Sequence, residues 1–165
     1  MSYGEDSDSG IDLNTLQGRE YPTIKQFTAF LENRIGRLLE VVRCFQNTSS
    51  RIVAMNIQDS TECSVVRFVL THPEQGREIL ESQGLGLIES DLIGIELPQI
   101  NQPMIRVCEA LLQAEINLMQ SYPLMVTTDG QMAVALMVDN IELAQATLAC
   151  EGFAMINEHD LLDMQ

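Results

Sequence analysis

The sequence predicts an α+β fold of two tandem βαββαβ units, each an antiparallel sheet with its helices on one face. Three observations carry this. Apolar residues alternate between strand and helix spacing in the order strand, helix, strand, strand, helix, strand. That order occurs twice. A shift of 68 residues also superimposes Asn33 on Asn101, Val66 on Val134, Leu80 on Leu148, Gly84 on Gly152 and Ile88 on Ile156. A period this long marks a duplicated domain rather than a solenoid of short repeats.

Residues 1–22 are rich in Gly, Ser and Asp and poor in large apolar side chains, so they are expected to form a disordered acidic tail. Within it, Ile11, Leu13 and Leu16 are the only candidate anchors for a docking peptide. The first unit spans 23–91. Ile24–Leu31 reads as a strand, and Asn33-Arg34-Ile35-Gly36 as a turn. Leu38, Leu39, Val42 and Phe45 recur at helical spacing, with Arg37, Glu40 and Arg43 on the other side. Ile52–Gln58 and Cys63–Leu70 form a hairpin around Ser60-Thr61-Glu62. Thr71 is placed to cap a helix that has Pro73 in its first turn and ends at Gly84. Leu85–Ser90 closes the unit as a strand.

The second unit spans 92–165. Its strand Leu92–Leu97 leads through Asn101-Gln102-Pro103 into a helix with Val107, Ala110, Leu111 and Ala114 on one face. Asn117–Val126 is extended, Asp129-Gly130 turns it, and Met132–Val138 returns as a strand. Around the second strand the repeat shift is nearer 66. Asp139 can cap the next helix, which bears Ile141, Leu148 and Ala149 and stops at Gly152. Phe153–Ile156 is the last strand. Each unit is a split βαβ, ferredoxin-like module. About 70 residues bury too little surface for comfort alone, so the halves are expected to pack together.

Charge narrows the function. The chain has 165 residues with 24 acids and 9 Lys or Arg, net −15. Nucleic acid and anionic membrane surfaces are therefore excluded as partners, since both need clustered cations. Residues 98–165 carry nine acids and one cation, Arg106. The longest apolar run, Met132–Val138, is far below the roughly 20 residues that span a bilayer. The first ten residues lack the basic and apolar regions of a secretory signal. Cys44, Cys63, Cys108 and Cys150 form no CxxC pair, and only His72 and His159 accompany them, so no metal site is expected. They read as buried thiols of a cytoplasmic protein. No triad, carboxylate pair or phosphate-cradling loop points to catalysis, and Asp91 and Glu96 read as exposed-face acids. Arg67 interrupts an apolar strand and is expected on the open face of its sheet; Arg51 opens the preceding strand. Seven of nine methionines lie at or after Met104 and read as flexible core filler.

The one spot with ligand chemistry is the turn at Gly36. A glycine at a helix mouth lets backbone N–H groups approach an anion such as a carboxylate, and Asn33 can bond the ligand or hold the turn. The stretches IKQFTAFLENRIGRLLEVV, SRIVAMNI and LESQGLGLIESDLIGIELP resemble, respectively, the opening, second strand and inter-domain passage of tandem ACT domains, over residues 23–163. ACT domains are regulatory modules that bind amino acids, usually at interfaces between domains. The resemblance implies a non-catalytic, cytoplasmic amino-acid sensor without a cofactor. It implies ligand contacts from Asn33, Arg34, Ile35, Gly36, Arg37 and Leu38, and from Ile52, Val53 and Ala54 on the facing strand. The alternative is an interaction subunit of a biosynthetic enzyme such as acetolactate synthase, with no ligand of its own. Open sheet edges imply a homodimer. Three departures stand out: Ile35 where the family usually has Pro, Ser64 where relatives often have Gly, and Met104 at the place of the second unit's turn glycine. The last implies that the second unit's site is weakened and that one ligand binds per chain.

Overall fold

The computed structural model describes residues 22–128 and 130–163. The expected tail, with Ile11, Leu13 and Leu16, lies outside the described residues apart from Pro22. Strands β1 (Ile24–Glu32), β2 (Ile52–Asp59) and β3 (Cys63–Leu70) alternate with α1 (Arg37–Arg43) and α2 (Pro73–Ser82). Strand β4 (Leu87–Glu96) leads into α3 (Pro103–Gln113), then β5 (Leu118–Thr128), β6 (Gln131–Val138), α4 (Ile141–Cys150), β7 (Met155–Ile156) and α5 (Glu158–Asp163). The strands pair antiparallel along one path, β2-β3-β1-β4-β6-β5, with β7 also on β4, so that β4 joins a first-half sheet to a second-half sheet.

The junction differs from its expectation. The sequence suggests two short strands parted at Ser90-Asp91, but β4 runs through both. Its residues Leu87–Leu92 pair with β1, and Ile93–Glu96 pair with β6 while Gly94 and Ile95 also pair with β7. Ser90 and Asp91 stay in the ladder because their neighbours satisfy them. They oppose Gln26 and Lys25, and the Asp91 carboxylate accepts from Lys25 Nζ at 2.8 Å and from Thr23 Oγ1 at 3.1 Å. Gly94 sits where backbones crowd: a Cβ there would collide with Ile24 and lie 3.1 Å from the Ile156 carbonyl.

Three cores follow from strand alternation. On the helix side of the first half, Phe27, Ala29, Leu31, Val66 and Phe68 pack with Val41 of α1 and Leu80 of α2. Its counterpart in the second half joins Ile93, Ile95, Val134 and Leu136 to Val107, Leu111, Ala144 and Leu148. The third lies between the halves. Ile24, Val53, Ala54, Val69 and Leu92 meet Leu124, Val126, Ala133, Ala135, Ile156 and Leu161. The open faces of the two sheets thus cover each other, as expected of halves too small to stand alone. β2 and β5, the ends of the sheet path, come into contact as it closes.

Smaller differences have local causes. Thr71 does not cap α2; its Oγ1 accepts from the Arg51 N–H at 2.9 Å, and His72 takes the cap position with no side-chain capping bond. Asn140, not Asp139, caps α4 by accepting from Leu143 N–H at 3.1 Å, while Asp139 accepts from Asn117 N–H. The last strand shrinks to Met155–Ile156, because Asn157 and Asp160 cap each other's backbone N–H groups and start α5, which no periodicity announced. Cys108 and Cys150 are exposed rather than buried, and Met119, Met125 and Met132 are exposed rather than core.

Candidate functional site

The two halves present the same feature at the same place: a turn from the first strand into a helix whose cap residue has left-handed backbone. Gly36 caps α1 with φ 86°, and Gln102 caps α3 with φ 59°. Strand register makes these two equivalent. Phe27 faces Phe68, and Ile93 faces Leu136; both second strands bulge at matching points, between Ile52 and Ala54 and between Leu118 and Gln120. The repeat shift is therefore 66 through the first three elements. It becomes 68 only after an irregularity between Pro123 and Thr127 in β5. This corrects the alignment of Asn33 with Asn101 and of Gly36 with Met104. Gln102 stands where Gly36 stands and adopts the same backbone, whereas Met104 lies inside α3. The second turn is therefore intact.

Around the first turn, Asn33 Nδ2 donates to Ser60 O at 3.2 Å, tying it to the β2–β3 loop. Arg34 grips Glu40 with both guanidinium branches, at 2.9 and 2.6 Å. Arg37 adds a 3.2 Å bond to Glu40 and donates at 3.1 Å to Gln83 O, beyond α2. These bonds, Arg34's first, hold the Glu40 carboxyl below the usual carboxylate range. The turn thus holds two cations and one carboxylate that engages both. Ile35 is fully exposed, and a Cβ on Gly36 would meet nothing within 4 Å. Leu38 and Ile52 pack inward on the first helical core, while Val53 and Ala54 are buried between the halves. The structure therefore gathers Asn33–Arg37 in one exposed turn and sends the other four expected contacts into two cores.

Around the second turn a cavity of about 320 Å³ opens, lined by the turn residues Pro98 and Gln99, by Glu96, Arg106 and Gln131, and by Glu151–Ala154. Strand ends converge to make it: Glu96 N–H donates to Ala154 O at 2.9 Å and Leu97 N–H to Met132 O at 2.7 Å. Arg106 lies over the Phe153 ring, 5.5 Å from its centroid, and Nη2 donates at 3.4 Å to Glu151 O. The ring supports the guanidinium electrostatically. Glu96, expected on an exposed face, is half-buried in this wall. Periodicity missed Glu96, Arg106 and Phe153. The available signal was Arg106 itself, the lone Lys or Arg among residues 98–165.

Between the sheets lies a polar row. Arg67 occupies the open face of β3, as expected, opposite Thr28 and Asn56. One row on, Gln26 is fully buried and accepts a hydrogen bond from Tyr122 Oη across the halves. Burial pushes the Tyr122 hydroxyl above its ordinary pKa of 10.0, against a smaller opposing pull from Arg67. Among the described residues, no group of three or more His, Cys, Asp or Glu side chains could hold a metal. No helix among them is long and apolar enough to cross a membrane.

Comparison with known proteins places this geometry. A protein of Bacteroides thetaiotaomicron superimposes with TM-score 0.76 at 20% identity, over 85% of this chain and 96% of that one. The ligand-free regulatory subunit of aspartate kinase from Thermus thermophilus superimposes with TM-score 0.54 at 12% identity, over 78% and 90%. The same subunit from Thermus flavus gives 0.53 at 13%, over 78% and 90%. A search of curated proteins found no match. The family profile describing an ACT domain pair matches residues 22–165, most of the chain, and this chain belongs to the ACT domain pair family.

Proposed function

We propose that this protein is a non-catalytic, cytoplasmic regulator that binds an amino acid in the second-half cavity. One observation carries the reading: a single opening of about 320 Å³ is lined by Arg106, Glu96, Glu151 and Phe153, with the Arg106 guanidinium over the Phe153 ring. A molecule with a carboxylate and an ammonium on one carbon answers both signs. Arg106 presents a fork to the carboxylate, and the acids take the ammonium. A second reading keeps the ligand at Asn33–Leu38, with the β2 residues Ile52, Val53 and Ala54 behind it. The open space at Gly36 favours it; the engagement of Arg34 and Arg37 by Glu40 weighs against it. Two relatives in fold are regulatory subunits of aspartate kinase, which supports the interaction-subunit alternative, with an enzyme such as acetolactate synthase as the kind of partner. A homodimer belongs to the same proposal, with light scattering at high concentration as its test.

A thermal-shift screen of the twenty amino acids, followed by calorimetry, tests this. A ligand at 100 times its Kd adds about 2.7 kcal/mol of stability, a clear melting shift. One selective hit at one site per chain is expected. Arg106→Gln should weaken it about tenfold or more, and Gly36→Val should leave it unchanged. The reverse pattern moves the site to the first turn. No shift with any amino acid removes the sensor reading and leaves the interaction subunit, for which co-purification with a catalytic subunit is the next measurement.

A further inference from the structure

The halves differ on the outer flank of their first helices. α1 carries the Arg34–Glu40–Arg37 network on its exposed side. On α3, Ile105, Cys108 and Leu112, which stand at the places of Leu39 and Val42 of α1 and of Gln46 just beyond it, form an apolar strip at i, i+3 and i+7, with Ile105 54% and Leu112 76% exposed. With Met104 and Glu109 they line a groove of about 310 Å³. Arg106, the one cation nearby, is turned to the opposite side of the helix, onto Phe153. The groove is therefore apolar at its floor, has Glu109 as the charged residue of its lining, and sits in a half that is net −8 over residues 98–165 (nine acids less one Arg).

We infer that this groove docks a basic amphipathic helix of another protein, its aliphatic side chains seated between Ile105 and Leu112 and its lysines or arginines facing Glu109. Two arguments select this occupant. An eleven-residue helix is about 16 Å long, so the strip along it offers far less than the roughly 800 Å² per partner of a stable globular interface, but it matches one helix face. A second copy of this chain would bring another net −15 against the same acidic surface, whereas a cationic helix is drawn to it. The inference is independent of the ligand reading, since Arg106 and the cavity lie on the other flank.

The test uses a synthetic helix of leucine/lysine heptads, a scrambled peptide of equal charge with no apolar face, and the full chain. Binding is followed by fluorescence anisotropy. The double variant Ile105→Ser/Leu112→Ser keeps the charge and removes the floor; Leu39→Ser on α1 serves as control. The amphipathic peptide should bind wild type about tenfold or more tighter than the scrambled one. The double variant should erase that difference, and the control should keep it. Equal binding of both peptides to wild type means bulk electrostatics and overturns the inference. So does undiminished binding to the double variant. A wild-type dimer in light scattering that the double variant converts to monomer would also overturn it, by seating a second copy in the groove. If the double variant melts early, Leu112→Ser alone gives the same comparison at the more exposed position.

Discussion

The two strand-to-helix turns have one backbone and two outcomes. Gly36 and Gln102 both adopt left-handed caps, at φ 86° and 59°. Around Gly36, Glu40 engages Arg34 and Arg37, and Arg37 bonds the carbonyl beyond α2. Around Gln102 no such network forms among the described residues; Arg106 spans to the carbonyl beyond α4, rests on Phe153, and a cavity remains. Duplication preserved the path of the chain while side chains decided which copy keeps an open cavity beside its turn. On the proposed reading the ligand sits at the turn that lacks the glycine. The glycine relieves strain at the turn, and the turn persists without it.

The comparison breaks most forcefully if the halves fold independently. Leu80 and Leu148 are equivalent, and both are fully buried. Truncating either to Ala should cost about 2–5 kcal/mol. Because β4 and the core between the sheets are shared, each variant should lower one common denaturant transition. Two separate transitions would show that the shared core does not couple the halves.

Next is the contact across them. Tyr122→Phe removes the donor to the fully buried Gln26 and should cost about 1–3 kcal/mol. It carries a pH signature. Burial raises the Tyr122 pKa, so above about pH 10 the unfolded chain has released a proton that the folded chain keeps. Tyr122's contribution is thus whole below pH 10 and lost as pH climbs past it. Unfolding titrations should show a steeper alkaline fall for wild type than for the variant. Equal slopes would mean that Tyr122 is solvated.

The smallest effect tests the turns directly. Gln102→Gly relieves left-handed strain and should stabilise the chain by about 1 kcal/mol, while Gly36→Gln imposes it and should cost about the same. Equal and opposite shifts in the transition midpoint would establish that the two turns are one structure. A loss from both would mean that the Gln102 side chain holds its turn together.

Much of the fold was legible because alternation and helical spacing are local. Phe27, Ala29 and Leu31 announce a strand face whatever lies above it, and Gly84 and Gly152 mark two helix ends by their need for positive φ. The repeat was legible too, from Val66 with Val134 and Leu80 with Leu148. Its register in the first three elements was not, because two extra residues in β5 displace the matching positions and only strand pairing reveals where they fall.

The sequence by itself determined the α+β class, the duplication and the acidic net charge. These depend on composition and on spacings of a few residues. Only tertiary structure decided that β4 serves both halves, that Val53 and Ala54 are sealed between sheets, and that Glu96, Arg106 and Phe153 surround one opening. Those outcomes depend on residues far apart in the chain, 57 positions from Glu96 to Phe153 (153 less 96) and 71 from Val53 to Leu124 (124 less 53), meeting through strand pairing and helix packing. A pattern read along the chain does not measure such distances.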